Sequence, residues 1–268
     1  MATGSTYTTI RADVVDGLAT LTLARPDAGN AIDLTMAREL DEVTATWADD
    51  PAVRAVLLQA EGRSFCVGGD LKTFADGADL PALLREITHH LHAALARLAG
   101  MDTPVVAAVQ GSAAGGGVGV ATAADLVLVG RSTRFVLAFT AIGLSPDSSS
   151  TWSLPRTVGL RRALDLALTN RALAADEAVA EGLATRVVDD DALADEALAL
   201  ARSLAAGPTG ALGATKRLLR GSLANDLETQ LALETASLAA AGGTPDAREG
   251  IAAFLDKRTP SYGGQQRW

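Results

Sequence analysis

The chain has 268 residues, of which 48% are hydrophobic, enough to bury the core of one domain or of one domain with an appendage. Its formal net charge of -9 argues against nucleic acid as a partner, because no basic stripe is present to contact phosphates. Cys66 is the only cysteine, which excludes an intrachain disulfide. With no signal-peptide pattern at the start and an apolar stretch over 105–129 that glycines and polar residues interrupt, we expect a cytoplasmic protein without membrane association.

The first half of the chain alternates strand patterns with helix patterns. Apolar alternation over 7–15 and 18–23, on either side of Asp16-Gly17, predicts a β-hairpin. Asp33 is expected to cap the helix that follows, whose apolar residues recur every three or four positions. Further strands and helices are predicted, in chain order, at 53–58, 83–98, 104–109, 116–124 and 126–129. The repeated β-α-β order predicts a mostly parallel sheet covered by helices.

The composition changes near residue 192. From there to residue 255 the chain is rich in Ala, Leu, Glu, Arg and Lys, with glycine breaks that predict three or four helices. We therefore divide the chain into a core over 1–191 and a helical C-terminal region over 192–268. A monomer would expose a wide Ala/Leu face in this region, so we expect it to pack between subunits.

Two glycine-centred segments, 64–71 and 111–119, each follow a predicted buried strand. A glycine exposes its backbone N–H without a Cβ in the way, so two such segments can donate two N–H groups to one oxyanion. The second segment also opens a helix, whose positive end favours an anion. Neither a dinucleotide-binding fingerprint nor a P-loop is present. Two tight turns without a ligand are the alternative interpretation.

In this order and spacing, six stretches resemble the enoyl-CoA hydratase/isomerase family, also called the crotonase superfamily, over nearly the whole chain. They are 25–31, 65–72, 104–125, 143–159, 174–188 and 249–258. The resemblance implies an α/β fold with a spiral core of β-β-α units and a C-terminal helical oligomerisation region. It also implies an acyl-CoA thioester substrate, no cofactor apart from the coenzyme A of that substrate, and a homotrimer or dimer of trimers.

The resemblance also assigns the parts of an active site. It places the thioester oxygen between the backbone N–H groups of Gly69 and Gly116. The two glutamates with which hydratases of the family handle water and the proton fall at Gly119 and Phe139, and neither residue can transfer a proton. Hydration by a glutamate pair is therefore not expected, and an isomerase that relies on the second glutamate is disfavoured.

Asp147 supplies a carboxylate shortly after these positions. In family members similar to the isomerases of phenylacetate degradation, the matching aspartate is the acid/base, so we expect Asp147 to move a proton between two carbons of the acyl chain. In the 4-chlorobenzoyl-CoA dehalogenases it is a nucleophile assisted by a histidine, which His92 matches. A non-catalytic acyl-CoA binder is the third hypothesis. Alternatively, Asp147 caps a helix over 148–154 and His92 is a surface or packing residue.

The remaining expectations concern the substrate and a metal. The resemblance suggests that Phe139, Leu144 and Trp152 line an apolar acyl pocket. The residues expected to contact CoA, the last two from a neighbouring subunit, are Arg25, Ala31, Leu71, Lys72, Phe254 and Lys257. No metal is expected, because the three histidines lie on one helix without a carboxylate to complete a ligand set. Cys66 is expected to pack in the core rather than to act as a nucleophile.

Overall fold

The computed structural model describes residues 7–263. Its strands are β1 (Ile10–Val15), β2 (Leu18–Leu23), β3 (Ala55–Ala60), β4 (Val105–Val109), β5 (Ser112–Ala114), β6 (Leu126–Gly130), β7 (Arg134–Val136), β8 (Leu173–Ala174) and β9 (Arg186–Val188). Its helices are α1 (Leu34–Ala48), α2 (Leu71–Asp76), α3 (Leu80–Gly100), α4 (Gly116–Thr122), α5 (Ser150–Thr157), α6 (Leu160–Thr169), α7 (Ala175–Ala180), α8 (Leu193–Ala205), α9 (Thr209–Gly221), α10 (Leu227–Gly242) and α11 (Pro245–Leu255).

The main sheet has six strands in the order β1-β2-β3-β4-β6-β9. The predicted hairpin is confirmed, since β1 and β2 pair antiparallel around Asp16-Gly17, and every later pair in this sheet is parallel. A second sheet, β5-β7-β8, was not predicted. Its strands have two or three residues each, which is too short for a periodic apolar pattern to show in the sequence.

Helices α1 and α3 pack against each other beside the sheet. The predicted cap of α1 is confirmed, because the Asp33 carboxylate accepts a hydrogen bond of 2.8 Å from the Met36 amide. Helix α3 begins three residues before its predicted start, after Asp79, which accepts a hydrogen bond from the Ala82 amide. The two helices are joined by Asp41 of α1, whose carboxylate contacts Arg97 and lies 2.7 Å from His90 Nδ1 on α3.

This contact predicts a dependence of stability on pH. Burial opposes ionisation of Asp41, but the hydrogen bonds from Arg97 and His90 outweigh it and hold its pKa below the ordinary value of about 3.9. A carboxylate whose pKa is lowered by folding stabilises the folded state above the ordinary pKa, and this contribution is lost as the pH falls below that value. We expect the free energy of urea unfolding to fall less between about pH 6 and pH 3 in Asp41→Asn than in the wild type. Equal slopes in both proteins would contradict this assignment.

Over residues 192–263 the C-terminal region forms four helices, where three or four were predicted. Helix α8 packs on the main sheet, with Ala197, Ala201 and Ala205 buried against β3 and β4. Helices α10 and α11 instead leave large apolar side chains exposed, which are Leu227, Leu231, Leu233, Leu238, Ile251, Phe254 and Leu255. The apolar face of α8 thus belongs to the core of the fold, whereas those of α10 and α11 are exposed. The division at residues 191 and 192 and the role of this region in assembly stay predictions.

Over residues 7–263, none of the helices is both long enough and apolar enough to cross a membrane. In the same range, no group of three or more His, Cys, Asp or Glu side chains is placed so that it could hold a metal ion.

Candidate active site

The two glycine segments meet in the structure. Cys66 pairs with Ala113 in a parallel bridge, and the Ala114 amide donates a hydrogen bond of 2.8 Å to the Cys66 carbonyl. At Gly68 the backbone has a φ of 94°, and a Cβ there would lie 2.9 Å from the Ala114 carbonyl oxygen and 3.4 Å from the Gly116 nitrogen. A side chain at residue 68 would therefore separate the segments, and glycine allows their backbones to touch.

The predicted donors, Gly69 and Gly116, lie where these segments join. Gly69 pairs with Ile32 in a parallel bridge, in which the hydrogen bonds run through Gly68 and Asp70. Gly116 is the first residue of α4, so its N–H has no partner within the helix. Among residues 7–263, neither N–H donates a hydrogen bond to the protein. Both groups therefore remain available to a ligand, as an oxyanion hole requires, and their role stays a prediction.

A side chain at residue 119, the position that matches a hydratase glutamate, is excluded by the turn that follows Asp147. A Cβ on Gly119 would lie 1.9 Å from the Ser148 carbonyl oxygen and 2.6 Å from the Ser148 Cβ. Ser148 is fully buried, and its Oγ lies 3.0 Å from the position that a Cβ on Gly116 would take. Ser148 thus occupies the space beside α4 into which a side chain at 119 would project.

The turn that carries Asp147 has an unusual backbone. Ser148 and Ser149 have φ values of 52° and 64°, a left-handed conformation that costs a non-glycine residue about 1–3 kcal/mol. The Ser148 amide donates a hydrogen bond of 3.2 Å to His92 Nε2 on α3. The Asp147 Oδ2 atom lies 3.6 Å from the same nitrogen, and the Asp147 side chain is 31% exposed. The structure therefore brings His92 and Asp147 together, as the resemblance implied.

Asp147 is not a helix cap, and that alternative is wrong. Helix α5 begins at Ser150, two residues later than the predicted helix, and its N-cap residue is Ser149. The Ser150 amide bonds the main-chain carbonyl of Asp147, not its carboxylate. Among the residues that the structure describes, the Asp147 carboxylate accepts no hydrogen bond, so it is free to contact a ligand.

A cavity of about 370 Å³ lies between α3, α4 and α5. His92, Leu95, Ser149 and Trp152 are among its lining residues, and the guanidinium of Arg156 stacks 4.3 Å from the centre of the Trp152 ring. Of the three residues predicted to line the acyl pocket, Trp152 reaches this cavity. Phe139 lies elsewhere, with its Cζ 3.9 Å from the position of a Cβ on Gly115, and the half-buried Leu144 does not line the cavity either.

The residues predicted to contact CoA lie in different surroundings. Arg25 pairs with Asp33 at 3.3 Å and with Asp70 at 2.9 Å, so it braces the first glycine segment and would bind a phosphate only in competition with two carboxylates. Burial opposes ionisation of Asp70, but the Arg25 hydrogen bond helps to hold its pKa below the ordinary value. The other predicted contacts fall into two groups: Ala31, which is buried, and Leu71, Lys72, Phe254 and Lys257, which are exposed.

Cys66 lies in the core, as expected. The residue is fully buried, and this burial raises the pKa of its thiol to about 12, although a hydrogen bond with the Gly68 backbone opposes the shift. A thiol with such a pKa is protonated at neutral pH, so Cys66 is not an activated nucleophile.

Sequence reasoning missed Ser148 and Ser149. Left-handed backbone is expected at glycine or asparagine, and the serines between Asp147 and Thr151 do not predict it. Gly119 could have indicated this contact, since a glycine inside a helix lowers helix stability and often marks the close approach of another backbone. The sequence does not say which backbone approaches.

Comparisons with known proteins identify the family of the chain. The sequence model of the family described as enoyl-CoA hydratase/isomerase matches residues 13–265. Over 258 residues the chain is 40% identical to the 1,2-epoxyphenylacetyl-CoA isomerase of Escherichia coli (strain K12), covering 96% of this chain and 98% of that protein. It is 34% identical to the 4-chlorobenzoyl coenzyme A dehalogenase-2 of Arthrobacter sp, covering 94% and 92%. The crystal structure of an enoyl-CoA hydratase from Polaromonas sp. JS666 matches with a TM-score of 0.89 at 32% identity, covering 94% and 99%.

The chain belongs to the enoyl-CoA hydratase/isomerase family, whose members act on acyl-CoA thioesters. The predicted α/β crotonase-type fold is confirmed by these matches together with the parallel sheet and its covering helices. Because its relatives carry isomerase, dehalogenase and hydratase names, membership establishes the class of enzyme and not one reaction.

Proposed function

We propose that this protein is an acyl-CoA isomerase that moves a double bond or rearranges a ring by proton transfer through one aspartate. The observation that carries the proposal is the position of Asp147. Ser148, the next residue, packs on Gly116 and fills the space of a side chain at 119, so the segment that carries Asp147 runs next to α4, and the Asp147 carboxylate itself lies 3.6 Å from His92 Nε2. A single carboxylate near an oxyanion hole suits proton transfer between two carbons better than addition of water.

The proposed chemistry uses the two glycine amides and the carboxylate in turn. The N–H groups of Gly69 and Gly116 hold the thioester oxygen, and Asp147 takes a proton from the carbon next to the thioester of a 3-enoyl substrate. The electrons of that C–H bond enter a dienolate, whose negative charge rests on the held oxygen. Asp147 then returns the proton two carbons further along, which leaves a 2-enoyl thioester and the original carboxylate.

A dehalogenase-like hydrolase is the second candidate, and the 3.6 Å between His92 Nε2 and Asp147 Oδ2 favours it. In that reaction the Asp147 carboxylate would attack the aromatic ring and expel halide. His92 would then assist water in hydrolysing the aryl ester. The Ser148 amide already occupies the His92 Nε2 lone pair, which makes this nitrogen a poor base in the observed geometry.

The proposal extends to ligands and assembly. We propose that CoA enters as part of the substrate and without a further cofactor, near Ala31, Leu71 and Lys72. Phe254 and Lys257 of a neighbouring subunit would complete its site. The exposed apolar residues of α10 and α11 support a homotrimer or a dimer of trimers. A cytoplasmic location fits a protein whose one cysteine is free and buried.

Three substrate classes separate the candidate functions. Purified protein is incubated with a 3-enoyl-CoA, a 2-enoyl-CoA and a 4-halobenzoyl-CoA, and the products are followed by chromatography and by halide release. We expect conversion of the 3-enoyl thioester to its conjugated isomer, little hydration of the 2-enoyl thioester and no halide. Halide release without isomerisation would establish the second candidate. Tight binding of all three thioesters without any turnover would instead identify an acyl-CoA binder.

A further inference from the structure

We propose that His92 is a positioning residue for Asp147, and that it acts as a hydrogen-bond acceptor rather than as a base. Its neutral imidazole accepts the Ser148 N–H and so fixes the turn that aims the Asp147 carboxylate. The inference rests on the proposed function, in which that carboxylate moves the proton. It assigns His92 a different task from the one the dehalogenase resemblance implied.

The turn is bonded to α5 through the Asp147 and Ser149 carbonyls, but among the described residues its hydrogen bond to α3 is the one from the Ser148 amide to His92. Ser148 and Ser149 are both in the left-handed conformation, which serine rarely adopts unaided. The Ser148 hydroxyl is buried and has no hydrogen-bond partner among the described residues. The contact of Ser148 with Gly119 is packing, which limits how closely the turn approaches α4 but does not orient it. The Ser148 amide is therefore the group through which the turn is attached to α3.

The hydrogen bond from Ser148 also defines what the Nε2 atom of His92 does in this site. An imidazole nitrogen accepts an N–H through its lone pair, so the observed hydrogen bond uses Nε2 as the acceptor. The 3.6 Å from Nε2 to Asp147 Oδ2 is too long for a hydrogen bond between them. Nε2 instead accepts the hydrogen bond from the backbone amide of Ser148, the residue after Asp147.

The support is rigid enough to matter for proton transfer. His92 lies on a helix of 21 residues, and the neighbouring side chains Leu91 and Leu95 are buried in the core. An acceptor fixed to this helix holds the Ser148 amide, and through it the adjacent Asp147 Cα, in one position. Because proton transfer requires the carboxylate within hydrogen-bond reach of the reacting carbon, a small displacement of the turn reduces kcat.

Two substitutions at 92 separate positioning from base catalysis. In His92→Gln the side-chain amide oxygen reaches about where Nε2 lies, so the acceptor is retained and the base is removed. In His92→Phe the ring remains and the acceptor is lost. We expect His92→Phe to lower kcat for a 3-enoyl-CoA by about tenfold or more, with KM within about threefold, and His92→Gln to stay within about threefold of the wild type in both. His89→Gln, an exposed histidine on the same helix, is the matched control and should behave as the wild type.

Hydrogen exchange provides a readout that does not depend on turnover. The Ser148 amide should exchange faster in His92→Phe than in the wild type and at an unchanged rate in His92→Gln. Wild-type kcat in His92→Phe would overturn the inference, as would a His92→Gln variant that is inactive while its Ser148 amide stays protected, since that result identifies a base. If the wild type does not isomerise any enoyl-CoA, the proposed function fails, and the exchange rates alone still decide whether His92 holds the turn.

Discussion

Replacing Asp147 with asparagine is expected to lower kcat for isomerisation of a 3-enoyl-CoA by about 10²- to 10⁴-fold, the usual contribution of a general acid/base. Asparagine has nearly the same shape, and the carboxylate accepts no hydrogen bond from the described residues, so the turn and the fold should persist. The Kd for the thioester should change little, because the Gly69 and Gly116 amides and the CoA contacts remain. Stopped-flow turnover and calorimetric binding measure the two quantities separately.

The control for this experiment is Asp191→Asn, which changes the charge of the protein equally at an exposed loop position. It should leave kcat and Kd at wild-type values. Isomerisation at the wild-type rate in Asp147→Asn would contradict the proposed acid/base role. The same variant also tests the second candidate, since halide release that survives the substitution excludes Asp147 as a nucleophile.

The features that the sequence predicts well are those with a long local pattern. The hairpin around Asp16-Gly17, the capped helix α1 and the parallel order of the central strands all follow from apolar periodicity and from turn or cap residues. The β5-β7-β8 sheet could not be predicted in this way. Its strands are defined by pairing with distant segments, such as β5 with β7, and not by their own two or three residues.

The candidate site shows the same difference between local features, which the sequence predicts, and long-range contacts, which it does not. The glycine segments indicate that two stretches of backbone approach each other closely, and the resemblance indicates that Asp147 and His92 form a pair. The detail that joins them is a backbone amide, that of Ser148, bonded to a side chain 56 residues earlier. Such a contact cannot be predicted from the residue type, because every residue except proline carries the same backbone N–H. The side chains that carry the chemistry can therefore be predicted from the sequence, whereas the long-range backbone contact that positions them cannot.

The missing glutamate at 119 cannot be restored by a single substitution. In Gly119→Glu, the new Cβ would meet the Ser148 carbonyl oxygen at 1.9 Å, and that oxygen belongs to packed backbone rather than to a flexible side chain. Relief of this overlap requires α4 and the Asp147 turn to separate, at a cost of about 1–3 kcal/mol or more. We expect Tm to fall by several degrees, about 2–4 °C for each kcal/mol, and isomerisation to be lost with the displaced carboxylate. Hydration of a 2-enoyl-CoA should not appear.

Gly119→Ala isolates the steric part of this effect, since its side chain adds only the Cβ. It should lower Tm and kcat in the same direction as Gly119→Glu. Gly100→Ala is the matched control, because nothing lies within 4 Å of a Cβ at that position and Gly100 is also helical. Wild-type Tm and kcat in Gly119→Ala would show that the turn moves aside freely, and then neither the strained serines nor His92 fixes Asp147. A loss confined to the Gly119 variants instead means that the close packing of Ser148 on Gly119 holds Asp147 where isomerisation needs it.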